Sequence, residues 1–490
     1  MSDPSSLRMT SRAFVAAAFD ALHQDDVIPT PSFHPYVRVG RDYYGPEIMA
    51  LEQYRQLERE LNDAYPNRFA DPLKRRHAEF ASTYIFSLLE ASVARCGHRH
   101  DFAHDSPAVD ESISEMLSVL DAESYEVVCC RVVSHFTTKT GQPLRVGPIE
   151  VVPEDRGSRS LERAIGQRIP GALAAFNRDP PFAHDPPHSL LVAREQTKED
   201  DPYAVAERLS TSLERFLLHM RLLTAGTVQS YYEMKGTTTL VSRMPPYLTT
   251  FVKGTLDSPI RRTVRVSGTE GQAIAAIGKL IDDADVQREG MVMTSFDIAL
   301  GRYQGSYRTE SAFDHLVDLA TALEAALAAG EEDNEGLTLR LRNRAAALLA
   351  TESDPAPSIF ADVGLLYSLR SKVVHGGQMK QKDLRRTIDR ISTVPTERPT
   401  LMPAVALGHA VDRMRDLVRR AILARLCLAA PPDPPWPITA ADVPVDALLA
   451  HDPTRGEWRD RWHERLVDLH AAEAADPPRT AADFLSPDER

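Results

Sequence analysis

The sequence predicts a multi-domain protein in which an N-terminal α+β region is followed by an all-α helical bundle. The chain has 490 residues, a length typical of roughly two to four domains. Strand patterns occur between residues 124 and 289 and stop after about residue 290. Beyond that point apolar residues recur at three- and four-residue spacing, which is typical of amphipathic helices.

Two regions are predicted before residue 290. Residues 1–123 form a mostly helical N-terminal region, because "PEIMALEQYRQLERELNDAY" and "LKRRHAEFASTYIFSLLEASVARC" carry apolar residues at helical spacing. Residues 124–289 form a mixed α+β region that would serve as a sensor or regulatory unit. There, "SYEVVCCRVVSHFTT" and "PLRVGPIEVVPE" have strand character on either side of the turn "KTGQ". Thr269 and Gln272 have capping-box spacing at the start of a later helix.

Residues 290–430 are predicted to form the helical bundle. Ser311 precedes a helix with Leu316 and Leu323 on one face, and "SDPAPS" separates a second helix from a third. The third helix ends at Gly376–Gly377, where a left-handed cap forms easily. A last helix carries Val411, Met414, Val418, Ile422 and Leu426. Residues 431–490 are predicted to be a Pro-rich linker and a charged helical tail.

Composition and charge exclude several classes of protein. Four cysteines at irregular spacing give no disulfide framework, which favours a reducing, cytoplasmic location. No apolar run approaches 18 residues, so we expect no membrane span. The net charge of −13 argues against general nucleic-acid binding. Any RNA contact must therefore come from a local basic patch. The segment 368–425 holds 13 Lys and Arg against 5 Asp and Glu.

The stretch "LLYSLRSKVVHGG" within that segment places Arg370 five residues before His375. The same spacing occurs in three other pairs, at 95–100, 99–104 and 465–470, so spacing alone is a weak signal. Ser371 and Tyr367 lie on the helix stripe of His375, and Arg370 is about 140° around from it. A histidine suits proton transfer at neutral pH, and the arginine fork suits phosphate.

This stretch, with "FDHLVDLATALEAAL" and "LRLRNRAAALLA" before it, resembles the Apea-like branch of HEPN domains. The resemblance covers roughly residues 290 to 430. It implies a HEPN-like helical bundle that acts as a metal-independent endoribonuclease, cuts RNA through the ribose 2′-OH, needs no cofactor and works as a homodimer in phage defence or a toxin-like role. It also implies that Arg370 and His375 are catalytic and that Ser371 is the polar residue of the motif.

Three further residues are predicted to bind RNA or to support the site. Lys372 and Glu324 match positions that are often occupied alike in this branch, and Tyr367 shares the stripe of His375. The predicted partners are RNA and a second copy of the chain through the C-terminal bundle. No membrane partner is expected, and the trigger ligand of the N-terminal region is unknown. The alternative function is a non-catalytic HEPN-like module for dimerisation or for binding nucleotide or RNA.

One competing site is the cluster "RCGHRHDFAHD". It gathers metal-ligand side chain types, namely Cys96, His98, His100, Asp101, His104 and Asp105. It lacks a paired Cys-x2-Cys and a second ligand pair, so a polar loop or helix end is favoured and no metal is predicted. The chain also lacks a P-loop and a GxSxG motif in strand–helix context, which leaves an ATPase or a serine hydrolase without support.

Overall fold

The computed structural model describes residues 4–24, 45–66, 68–69, 80–96, 105–154, 188–199, 201–224, 228–239, 241, 247–250, 263–286, 293–308, 311–328, 336–376, 380–393, 403–430 and 445–478. Over these ranges the protein is mostly helical, with 15 helices and a small antiparallel sheet in the N-terminal half. No strand follows Val266 in the described part of the chain. These observations confirm the predicted change from mixed to helical structure.

The N-terminal region is built from five helices around an apolar core. Leu57 and Leu61 are fully buried, and they belong to the same core cluster as Tyr84 and Leu88. The helices are α1 (Pro4–Gln24), α2 (Gly45–Ala50), α3 (Glu52–Ala64), α4 (Ala81–Arg95) and α5 (Ser106–Asp121). All elements that the structure describes before Tyr125 are helices.

The described residues that follow form eight strands, and six of them make one sheet in the order β3-β4-β5-β1-β6-β7. Their bounds are β1 (Tyr125–Ser134), β2 (Phe136–Thr138), β3 (Leu144–Val146), β4 (Ile149–Glu154), β5 (His188–Thr197), β6 (Gln229–Thr237), β7 (Tyr247–Thr250) and β8 (Val264–Val266). The β4–β5 and β6–β7 pairs are antiparallel, and the separate β2–β8 pair is parallel. Residues 127–134 of β1 are all buried, so this strand is covered on both faces.

Helix α6 (Pro202–Leu223) follows β5 and begins where the sequence predicts. The Asp201 carboxylate accepts hydrogen bonds from the amides of Tyr203 and Ala204, at 3.0 and 3.2 Å, and so satisfies two free donors of the first turn. Helix α7 (Gly268–Val286) begins two residues earlier than the predicted Thr269–Gln272 box implies. Glu270 instead accepts from the Ser267 amide at 2.9 Å, because Ser267 and Glu270 have the same three-residue spacing.

By their internal contacts the residues fall into two compact units. The first comprises Met1–Val132, Pro148–Leu213 and Tyr232–Thr250, and the second comprises Val133–Gly147, Glu214–Tyr231 and Phe251–Arg490. The division passes through β1 and α6, whereas the predicted boundaries lie at 123, 289 and 430. The boundaries at 123, 289 and 430 were predicted for segments that fold independently. Contacts within the folded chain do not test independent folding, so these boundaries stay predictions.

The second unit contains the predicted bundle, in which one long helix touches most of the others. Its helices are α7, α8 (Ser295–Gly305), α9 (Ala312–Leu327), α10 (Leu337–Leu349), α11 (Ala356–Val374), α12 (Gln381–Ile388), α13 (Pro403–Ala429), α14 (Val445–Ala450) and α15 (Asp452–Asp468), followed by a short 3-10 helix at Ala472–Ala475. Helix α13 packs against α7 to α12 and against α15. It is therefore the centre of this unit.

A buried ionic cluster fixes the start of α11 to α13. Both oxygens of Asp354 accept from the Arg413 fork at 2.8 Å, and Arg420 also donates to Asp354. Arg413 Nε donates to Asp362 at 2.8 Å, and Arg420 Nε donates to Asp416 at 3.0 Å. All five side chains are buried. The break "SDPAPS" thus supplies a carboxylate that two arginines of the central helix require.

Three side chains from other helices bind the last carbonyl groups of α10, which lack partners within their own helix. They are Arg459 on the Ala347 oxygen at 2.6 Å, Trp462 on the Leu348 oxygen at 3.1 Å and Arg420 on the Leu349 oxygen at 2.8 Å. Trp462 is fully buried. Helix α15, in the predicted charged tail, is thus a packed part of the second unit, and its Trp458–Trp462–Leu466 stripe is the signal that the sequence analysis missed.

Candidate functional site

The helix α11 ends at the predicted motif. The His375 amide donates to the Ser371 oxygen at 3.1 Å, and the Gly376 amide donates to the Val373 oxygen at 3.2 Å. Gly376 has φ of +62°, which glycine adopts without the steric cost of a Cβ. His375 is the last residue before this turn and its side chain is exposed. The predicted glycine cap is confirmed at Gly376, and Gly377 lies outside the described residues.

Arg370 is brought together with two of the predicted supporting residues. Its Nη2 lies 3.7 Å from Glu324 Oε1, and its Cζ lies 5.4 Å from the ring centroid of Tyr367. Glu324 comes from α9, so this contact joins two helices of the bundle. Burial raises the pKa of the Glu324 carboxyl above its ordinary value, and Arg370 opposes that shift. The three side chains form one half-buried cluster.

The Arg370 guanidinium keeps unused hydrogen-bonding capacity. Its Nε is buried and has no hydrogen-bond partner among the residues that the structure describes. Its contact with Glu324 at 3.7 Å is longer than a hydrogen bond. Arg413, by contrast, uses both faces of its fork on carboxylates. Arg370 therefore keeps donors that are not committed to holding the bundle together, although a buried Nε without a described partner also occurs at Arg419 and Arg465.

The stripe of Tyr367, Ser371 and His375 runs from the interior to the surface. Tyr367 is buried, Ser371 is partly exposed and His375 is exposed. Ser371 is joined to His375 through its backbone oxygen. Lys372, also partly exposed, lies beside them. The arrangement brings a histidine to solvent within two helical turns of the Arg370 cluster.

The basic segment 368–425 is not one continuous surface. Four of its arginines lie on α13 and are buried: Arg413, Arg415, Arg419 and Arg420. They bind carboxylates and backbone oxygens, because α13 is the central helix and its polar side chains must be satisfied inside. The basic surround that the sequence predicted is thus smaller than its count of charges implies, and its exposed members among the described residues lie on α12 or at its ends: Lys380, Lys382, Arg386 and Arg390.

The competing sites give no metal centre in the described structure. Cys96 and Asp105 are described, but the histidines of "RCGHRHDFAHD" lie outside the described residues. Within the described ranges no group of three or more His, Cys, Asp or Glu side chains is placed to hold a metal ion. His188 is the first residue of β5. All four cysteines lie among the described residues, where they are buried and form no disulfide.

None of the described helices combines the length and apolar character that crossing a bilayer requires.

Chemically, the site offers a cationic fork, a half-buried carboxyl and an exposed imidazole. Comparison of the chain with protein-family models, curated proteins and solved structures finds no match in any of the three.

Proposed function

We propose that the protein is a metal-independent endoribonuclease of the HEPN type, with a role in phage defence or in a toxin-like system. The observation that supports this most is the Arg370 guanidinium, which is half-buried beside Glu324 and Tyr367 and whose Nε lacks a hydrogen-bond partner among the described residues. An exposed histidine ends the same helix. These groups are the ones that cleavage of RNA through its own 2′-OH requires.

Each residue has a defined role in the proposed reaction. The His375 imidazole accepts the proton of the ribose 2′-OH, whose oxygen attacks the adjacent phosphorus. Arg370 holds two phosphate oxygens and stabilises the extra charge of the crowded phosphate. The bond to the 5′ oxygen then breaks, and that oxygen takes a proton from an acid. The products are a 2′,3′-cyclic phosphate and a 5′-hydroxyl end. Ser371 orients the reacting groups, and Lys372 contacts the RNA.

The proposed reaction requires two copies of the chain. One motif supplies one histidine, whereas the reaction uses a base and an acid. A two-fold dimer that places both copies of the α11 end near its axis supplies the second imidazole.

The test is RNA cleavage by purified protein in the presence of EDTA, with the new RNA ends mapped chemically. We expect wild-type protein to produce cyclic phosphate ends and His375→Asn to produce none. His470→Asn is the matched control, because His470 also follows an arginine by five residues at the end of a helix, α15. Cleavage that survives in His375→Asn, or that requires a divalent ion, would contradict the proposal.

A non-catalytic module that dimerises or binds nucleotide or RNA is the second candidate. The observation that favours it is that no described side chain hydrogen-bonds to the His375 ring, so one chain alone does not orient the imidazole. Under this alternative the wild-type protein binds RNA, or forms a dimer, and leaves RNA intact in the same assay.

A further inference from the structure

The short helix α12 presents a basic face to solvent, a few residues after His375. Lys382 and Arg386 are exposed and four residues apart, so they share one side of the helix. Ile388 is buried, and Leu384 is partly buried on the same opposite side. The helix packs against α11 and α13. The charged side chains of α12 therefore face solvent, and its apolar side chains face the bundle.

These cations are little neutralised by neighbours. Lys372, Lys380, Lys382 and Arg390 have no carboxylate partner among the described residues. Arg386 approaches a carboxylate, that of Asp383, only at 3.9 Å, a distance at which attraction between exposed charges is weak. The chain as a whole carries a net charge of −13. A local excess of uncompensated positive charge in an acidic protein attracts a polyanion to this one surface.

We propose that the basic face at α12, which we define as its exposed N-cap residue Lys380 and the helix residues Lys382 and Arg386, binds the phosphate backbone of the RNA that the site cuts. The inference rests on the proposed function for the identity of its ligand. Lys382 and Arg386 are separated along the helix by a rise of about 6 Å, comparable to the distance between successive phosphates. The three side chains supply charge without an aromatic or aliphatic anchor, which a protein interface normally requires. RNA is therefore favoured over an acidic protein.

The experiment measures RNA binding apart from cleavage. Full-length His375→Asn protein, which does not cut RNA in the proposed mechanism, is titrated with a short labelled RNA at several NaCl concentrations. Adding Lys380→Gln, Lys382→Gln and Arg386→Gln together should weaken binding at least about tenfold and should lower the slope of log affinity against log salt by about 2 to 3. The single change Lys382→Gln should lower the slope by about 1.

A matched control removes the same charge elsewhere in the second unit. Lys279→Gln, Arg302→Gln and Arg308→Gln also remove three exposed cations, each of which is paired with a carboxylate. These changes should leave the salt slope unchanged. Equal weakening by the two sets would overturn the inference, because the effect would then be one of overall charge. Competition by polyglutamate as strong as that by RNA of equal charge would instead assign the face to an acidic protein.

The outcomes separate this inference from the proposed function. If wild-type protein leaves RNA intact while binding still depends on α12, the nuclease proposal fails and the inference stands. If wild-type protein cuts RNA, the α12 changes should raise KM and leave kcat nearly unchanged. Cleavage with an unchanged KM and an unchanged salt slope would overturn the inference alone.

Discussion

At the scale of single residues, what distinguishes the half-buried Arg370 from the buried Arg413 and Arg420 is what its guanidinium touches. Arg413 and Arg420 are bound to carboxylates on several sides, whereas Arg370 has one carboxylate at 3.7 Å. The first two stabilise the bundle, and removing their partners exposes buried charge. The third leaves donors for a ligand. Arg370 therefore differs from Arg413 and Arg420 in its carboxylate contacts, although a buried Nε without a described partner also occurs at Arg419 and Arg465.

This difference leads to a prediction for Arg370→Lys. An ammonium keeps the charge but cannot bind two phosphate oxygens with a planar fork. We expect RNA cleavage to fall on the order of 100-fold, nearly as far as in Arg370→Ala. The exposed Arg302, paired with Asp318, provides the control Arg302→Lys, which should cleave like wild type. A variant Arg370→Lys with wild-type rates would show that charge alone is required.

His219 leads to a prediction about pH. Its ring packs on α7, where a Cβ on Gly278 would lie 2.6 Å from the ring Cε1. Burial lowers the pKa of His219 from 6.5 to about 4. The nearby positive charge of Arg215 lowers this pKa further, and the negative charge of Asp282 partly opposes the shift. The folded state therefore binds this proton less readily than the unfolded state. Stability attributable to this histidine is complete above pH 6.5 and is lost as pH falls from about 6.5 to about 4, by on the order of 3 kcal/mol.

Urea unfolding at pH 7 and at pH 4.5 checks this prediction. His219→Gln should lose less stability on acidification than wild type, because glutamine does not titrate. The control is His451→Gln, a change at an exposed histidine, which should lose as much stability on acidification as wild type. Identical pH dependence in wild type and His219→Gln would show that His219 does not contribute.

At the scale of helices and the loops that join them, Asp354 connects two helices: it lies just before α11 and pairs with arginines of α13. Asp354→Asn leaves Arg413 and Arg420 buried with one carboxylate fewer, and breaking a buried pair in this way costs about 3 to 5 kcal/mol. We expect the free energy of unfolding, measured by urea denaturation, to fall by that amount. Asp282→Asn is the control, because Asp282 pairs with Arg215 at the surface, where such pairs contribute about 0 to 1 kcal/mol. Equal midpoints for the two variants would contradict this role.

The same elements show how far the sequence predicts the fold. The faces of α9 and α13 follow from local periodicity, and Leu316, Leu323, Met414 and Ile422 are buried as predicted. The partners of Asp354 lie 59 and 66 residues away, and Trp462 binds a carbonyl 114 residues away. Local periodicity holds no information on such pairings. The run "DRMRDLVRR" has the composition of a solvated face, although it is largely buried.

In the candidate site, too, local features could be predicted from the sequence and contacts between helices could not. The end of α11 at Gly376 was predictable, because the glycine signal is local. The contact of Arg370 with Glu324 was not, because the two residues lie on different helices. The resemblance supplied Glu324, and the spacing of residues in the motif did not. Which cations of the basic segment reach solvent depends on the packing of α13, which the sequence alone does not give.

At the scale of the whole molecule, assembly determines whether the proposed chemistry is complete. We expect a homodimer at micromolar concentration in light scattering. Val374→Asp places a charge beside His375, which should weaken the dimer and reduce RNA cleavage at least tenfold, because a carboxylate at the two-fold axis meets its own copy. Val467→Asp, at an exposed valine of α15, should change neither. A monomeric wild-type protein that still cleaves RNA would contradict the two-histidine mechanism.

The pairing of Asp354 with arginines of α13 has a consequence for how the protein is made. Translation produces Asp354 and His375 well before Arg420, which follows Asp354 by 66 residues. At about 5 to 20 residues per second this interval lasts roughly 3 to 13 s. In the part of this interval after His375 is made, the growing chain holds both motif residues without the complete helix that fixes α11 in place. A ribosome-bound chain that stops before Arg413 should therefore leave RNA intact, so that a destructive enzyme would not act on the message that encodes it.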